Sequence, residues 1–150
     1  MRGRVLRPHM SEDCIFCKIV AGEIPSRTVY EDDEVFAFLD VNPLARGHTL
    51  VIPKAHDARI GGLPDGVAAS VFTAMSELAP AVERAMGADG MTVAVNDGPA
   101  AGQEVPHVHG HLVPRFEGDD AGGLHSLRWK RPDLDEAAFD EVAEAIRETR

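Results

Sequence analysis

Aromatic residues and cysteine are scarce in this 150-residue chain, which has one tryptophan, one tyrosine and two cysteines. The cysteines, Cys14 and Cys17, stand two residues apart and make a poor staple for a chain of this size. A disulfide scaffold is therefore excluded, and in a reducing compartment the pair is left for metal or redox chemistry. No stretch approaches the roughly 18 apolar residues that would span a bilayer. No apolar run follows the basic residues of the N-terminus, so a secretory signal is not expected either, and the expected location is cytoplasmic, without a membrane partner. Basic charge is also in deficit: 15 Lys and Arg face 25 Asp and Glu, a formal net charge of -10. That balance excludes general attraction to nucleic acid, so any phosphate must be bound locally. The chain contains neither a Walker pattern nor GxGxxG, which removes the P-loop and dinucleotide-binding classes.

What is present is 44% hydrophobic and 27% charged, enough to bury one core and too short for two full domains. Residues 1–12 are polar and aperiodic and read as a flexible lead. Residues 13–150 read as a single domain with a C-terminal extension from about 117. Thr28 to Glu31 and Val35 to Leu39 are β-rich runs around Asp32-Asp33, a hairpin. His48 to Ile52 predicts a third strand that Pro53 must end or place at an edge. From about Pro64 to Met86 the period changes: Val67, Val71, Met75, Leu78, Val82 and Met86 share one face of a main helix. Pro80 is expected to kink or interrupt its last two turns. Met91 to Asn96 predicts a strand, residues 97–102 a glycine-containing loop, and His107 to Pro114 another strand. After Pro132, Asp133 stands three residues before Glu136 in a capping-box spacing, ahead of an amphipathic terminal helix. The expectation is an α+β fold with a mainly antiparallel sheet.

His107-Val108-His109-Gly110-His111 concentrates three of the seven histidines. On a strand, alternate side chains share a face, so the three imidazoles are expected to project together, each about 6.6 Å from the next. Imidazole exchanges protons near neutral pH and can attack phosphorus directly. The blander alternative is a metal-gripping strand or a polar sheet face. Just upstream, Asn96 to Gln103 sets loop amides and a carboxamide beside these rings, groups suited to the charge that gathers on a phosphoryl centre. His9 and His125 read as surface residues.

The run His107 to Val113, His-x-His-x-His followed by two apolar residues, resembles the motif of the histidine triad (HIT) family of nucleotide hydrolases and transferases. Cys14 to Pro25, Phe38-Leu39-Asp40, Gly47 to His56 and Asn96 to Gln103 also look like family blocks in family order, covering about residues 14–116. The cysteine pair and Val113-Pro114-Arg115 are most similar to prokaryotic Hint/Fhit-like members. The resemblance implies a HIT-like five-stranded sheet with one main helix and a C-terminal helix, pairing into a homodimer. It also implies cleavage at the α-phosphate of purine nucleoside phosphoramidates or dinucleoside polyphosphates, through a covalent nucleotidyl-histidine. His109 would be the nucleophile, oriented by the backbone carbonyl of His107. His111 and Asn96 would contact the phosphate with amides around Gly102, Gln103 and Glu104. Asp40 would bind ribose in an AMP-containing substrate, and His48 would be a fourth active-site histidine.

Cys14 and Cys17 supply half of a tetrahedral zinc site. The resemblance completes it with His56 and His107, giving zinc a structural role; two unliganded thiols are the alternative. Two positions depart from the family pattern. Gly110 replaces a usually apolar residue, leaving open what packs behind the triad. Glu104 stands where relatives often carry a hydroxyl, and a carboxylate there repels phosphate unless it turns away. These departures motivate a rival reading, a zinc- and nucleotide-binding regulatory module with little turnover. A third reading makes the triad itself a catalytic metal site.

Overall fold

The computed structural model describes residues 13–150, so the expected flexible lead at 1–12, and His9 with it, lies outside the described residues. Five strands form one sheet: β1 (Thr28–Glu31), β2 (Val35–Leu39), β3 (Thr49–Pro53), β4 (Gly90–Val95) and β5 (Gly110–Arg115). Their order is β1-β2-β3-β5-β4, and every neighbouring pair is antiparallel. This is the expected α+β architecture. The hairpin between β1 and β2 is closed by Asp32, whose Oδ1 accepts from the amides of Glu34 and Val35 at 2.8 Å each.

Both faces of the sheet are covered, which explains why β2 is buried at every position. Val35, Ala37 and Leu39 face a core shared with Val51, Leu112, the long helix α2 (Val67–Met86) and the terminal helix α3 (Glu136–Thr149). Phe36, Phe38, Leu50 and Ile52 face the opposite side, where α1 (Ile15–Val20) lays down Phe16, Cys17 and Ile19. The edge-to-face pair of Phe16 and Phe38, 5.6 Å between ring centroids, adds about 0.5–1.5 kcal/mol beyond area burial. Alternation along β5 then decides the chemistry: Gly110 and Leu112 turn towards α2, and His111 turns towards the α1 side, opposite Leu50.

Several sequence-based boundaries need correction. Pro80 does not interrupt α2, which runs unbroken to Met86. Pro80 is on the exposed side of the helix, where water can reach the carbonyl that its missing N–H leaves unpaired. The helix begins at Val67 behind Gly66, whose φ of 81° suits only glycine comfortably. The cap of α3 is Asp135, accepting from the Ala138 amide at 2.8 Å, rather than Asp133. β5 starts at Gly110, so His107 and His109 precede the strand. α1 had no counterpart in the periodicity, because six residues are too few to show it.

Candidate active site

Glycine at position 110 answers what packs behind the triad. A Cβ there would stand 2.5 Å from both Sδ and Cε of Met75, so the flexible thioether of α2 fills the space an apolar side chain would take. The three histidines do not form one row, because the strand starts only at Gly110. His107 is fully buried and turns to the cysteine pair, whereas His109 and His111 stay together with ring centroids 4.9 Å apart.

Hydrogen bonds from the backbone assign a proton to each ring. A carbonyl only accepts, so His109 donates from Nδ1 to the oxygen of His107 at 2.8 Å, leaving Nε2 as an unprotonated lone pair. The Leu44 amide donates to His48 Nδ1 at 3.0 Å, so neutral His48 carries its proton on Nε2. That proton is donated to His111 Nδ1 at 3.0 Å, and His111 keeps its own proton on Nε2. One amide thus fixes the tautomers of two histidines in series. Burial disfavours the imidazolium at each of these rings, lowering the pKa of His48 and His109 and pushing His111 down to about 3. Neutral rings at neutral pH follow, one presenting a lone pair and one an N–H.

His48, His109 and His111 line a cavity of about 150 Å³ together with Asp40, Asn96, Gly102 and Glu104. Asp40 Oδ2 lies 3.7 Å from His48 Nε2. The amides of Gly102 and Gln103 are already committed to Pro99 and Gly98 carbonyls at 2.9 and 3.2 Å. The Gln103 side chain is committed as well: Oε1 accepts from the Gly98 amide at 2.7 Å, and Nε2 donates to the carbonyls of Ala58 and Val105. Of the three expected amide donors, only that of Glu104 has no partner among the described residues, and Gln103 acts as the brace of the loop. Glu104 itself is exposed at the cavity wall.

The same cavity is lined by Asn42, Leu44, Leu124, His125 and Arg131, none of which the sequence reading had assigned. His125 is exposed, as expected, yet its Nε2 stands 3.0 Å from Asn96 Nδ2. The contact joins residues 29 apart, with no local periodicity to announce it. Phe16 was missed too: it meets the rings of His107 and His109 edge-on at 5.7 and 5.1 Å.

Cys14, Cys17, His56 and His107 bring one ligand atom each within 4.8 Å of the others, the one such group among the described residues. His109 and His111 are not in it, which removes support from a metal held by the triad. Cys14 Sγ lies 3.3 Å from His107 Nδ1, Cys17 Sγ lies 3.4 and 3.6 Å from Nδ1 of His56 and His107, and the two Nδ1 atoms lie 3.2 Å apart. A tetrahedral zinc site has S–N edges of roughly 3.5 Å and an N–N edge of roughly 3.3 Å, so the donor set fits zinc. His107 is prepared for it: Nε2 donates to the Pro53 carbonyl at 2.8 Å, and the Nδ1 lone pair is aimed at the thiols.

A family model described as HIT domain matches residues 21–118. An uncharacterised HIT-like protein of Methanocaldococcus jannaschii is 48% identical over 106 residues, 71% of this chain and 81% of its own length. A protein of Arabidopsis thaliana named an adenylylsulfatase is 40% identical over 136 residues, 91% of this chain and 69% of its own. A Saccharomyces cerevisiae protein named an adenosine 5'-monophosphoramidase is 39% identical over 135 residues, 90% of this chain and 79% of its own. A zinc-bound histidine triad family protein from Mycobacterium smegmatis superposes with a TM-score of 0.79 and 37% identity, covering 91% of this chain and 92% of that one.

Proposed function

Since the chain belongs to the HIT domain family, we propose that it is a nucleotidyl hydrolase acting on AMP-containing substrates, by a covalent nucleotidyl-histidine at His109. The observation that carries this reading is the pair of opposite tautomers in one cavity. His109 Nε2 offers a lone pair because Nδ1 is held by the His107 carbonyl, and His111 offers an N–H because His48 donates to its Nδ1. The lone pair attacks the α-phosphorus, and the bond to the leaving group breaks with its electrons going to that group. Positive charge developing on the ring is stabilised at Nδ1–H by the carbonyl it already faces. His111 Nε2–H, Asn96 and the Glu104 amide serve the phosphoryl oxygens, and Asp40 serves the ribose. Water then attacks phosphorus and releases His109 and AMP.

Phosphoramidates, dinucleoside polyphosphates and adenylyl sulfate all carry this α-phosphate, and two of the relatives are named an adenylylsulfatase and an adenosine 5'-monophosphoramidase. Cys14, Cys17, His56 and His107 would hold zinc, whose role is to clamp α1 to the segment that presents His109. The exposed edge strand β4, with Val93 half exposed, supports a homodimer by antiparallel pairing of two β4 strands. No helix among the described residues is long and apolar enough to cross a membrane. Brief incubation with adenosine 5'-phosphoramidate, quenching without acid and peptide mass mapping test the chemistry. An AMP adduct is expected on the peptide carrying His109. AMP binding with neither adduct nor turnover would leave the regulatory-module reading in its place.

A further inference from the structure

The segment between β5 and α3 returns across the mouth of the cavity and is fastened on two rims. On one rim Arg131 donates from Nη1 to the Asn42 carbonyl at 2.8 Å. On the other, His125 meets Asn96 and lies over Gly102. A Cβ at Gly102 would stand 2.7 Å from His125 Cε1 and 2.9 Å from Cδ2, and closer still to Nε2. Gly102 also has a φ of 97°. The backbone conformation favours glycine there, and the absence of a side chain leaves the space that the His125 ring occupies.

A carboxamide can present either its oxygen or its amino group to a phosphoryl oxygen, and only the amino group attracts it. Amide nitrogen only donates, so the 3.0 Å contact makes His125 Nε2 the acceptor of one Asn96 hydrogen. The second hydrogen of the same amino group is left for the cavity.

We propose that His125 is a positioning residue for nucleotidyl transfer, holding the Asn96 carboxamide with its amino group towards the substrate phosphate. The proposal rests on the hydrolase reading above. With Nε2 unprotonated, His125 favours the orientation that turns an amino hydrogen of Asn96 to the ring, so its value appears at the phosphoryl centre rather than in the affinity for the nucleoside. The ring belongs to a different stretch of chain from the histidine motif and lies beyond residue 118, where the family match ends.

A double-mutant cycle tests this with adenosine 5'-phosphoramidate: wild type, His125→Ala, Asn96→Ala and the double variant, with His125→Gln as the conservative control. His125→Ala is expected to lower kcat about tenfold with KM changed less than about threefold. Asn96→Ala is expected to lower kcat by about 10²-fold, with no further loss in the double variant, because the histidine acts through the residue already removed. His125→Gln, which restores an acceptor, is expected to recover most of the rate. Additive losses in the double variant, or a His125→Gln variant as slow as His125→Ala, overturn the proposal. If wild type neither turns over nor forms an adduct, the hydrolase reading fails separately and the cycle is read on the Kd for AMP. Non-additive changes there keep the Asn96–His125 coupling, and additive ones overturn it.

Discussion

His107 and His109 stand two residues apart, carry the same side chain and are both buried, yet they serve opposite environments. His107 spends Nε2 on the Pro53 carbonyl and turns the Nδ1 lone pair to two cysteines and His56. His109 spends Nδ1 on the His107 carbonyl and turns the Nε2 lone pair to the cavity. The difference teaches that a histidine's role here follows from which nitrogen the backbone occupies. The two clusters are also joined, since the residue that faces the thiols lends its carbonyl to His109.

The strongest way to break this contrast is to remove each ring in turn. His109→Ala is expected to lower turnover by roughly 10³-fold or more and to abolish the AMP adduct. His107→Ala is expected to lose zinc and stability first; an adduct surviving in His109→Ala on another histidine would end the distinction.

Next in size is the metal. A ligand present at about 100 times its Kd stabilises the folded state by about 2.7 kcal/mol. Chelation is therefore expected to lower the Tm of wild type by roughly 5–10 °C, measured by calorimetry. A Cys14→Ser/Cys17→Ser variant should start lower and respond little. An equal response in both would separate the cysteines from the metal.

A smaller effect probes the packing behind the strand that carries His111. Gly110→Ala drives a methyl group into Met75 and is expected to cost about 1–3 kcal/mol in urea unfolding, with partial relief from Met75→Ala. No cost would mean that Met75 does not define the strand's position.

The smallest effect is a slope. His48 and His111 have folded pKa values below the ordinary imidazole value, His111 down to about 3, with burial as the main cause. As pH falls below about 6.5, the unfolded chain takes up protons that the folded chain refuses, so stability present above that pH is lost progressively on acidification. Urea midpoints at pH 7.5 and 4.5 should therefore differ, and His48→Asn should reduce the difference. An unchanged gap would place the acid sensitivity elsewhere.

Much of the architecture was legible because it rests on local periodicity. The alternation in β1 to β3, the spacing of Val67, Val71, Met75, Leu78 and Val82, and the apolar face of α3 are short-range patterns that two-sided burial of the sheet confirms. Pro80 does not interrupt α2; the sequence pattern shows a missing donor and not whether water reaches the orphaned carbonyl. Capping by Asp135 rather than Asp133 turned on φ and ψ at one residue, which spacing does not contain. At the site, the histidine motif marked the right stretch. The expected single row of three imidazoles failed because the strand starts only at Gly110 and His107 is drawn towards α1.

From residue types alone the sequence showed which groups were at hand: three closely spaced imidazoles, a cysteine pair, a glycine-containing loop beside the imidazoles, and an acidic charge balance. Residue type and near-neighbour spacing carry that information directly. Tertiary structure alone decided which nitrogen of each ring is free, that Gln103 braces the loop, and that His125 reaches Asn96 from 29 residues away. Those outcomes depend on carbonyls and side chains that only the folded sheet brings within hydrogen-bond distance, and no local pattern in the chain encodes them.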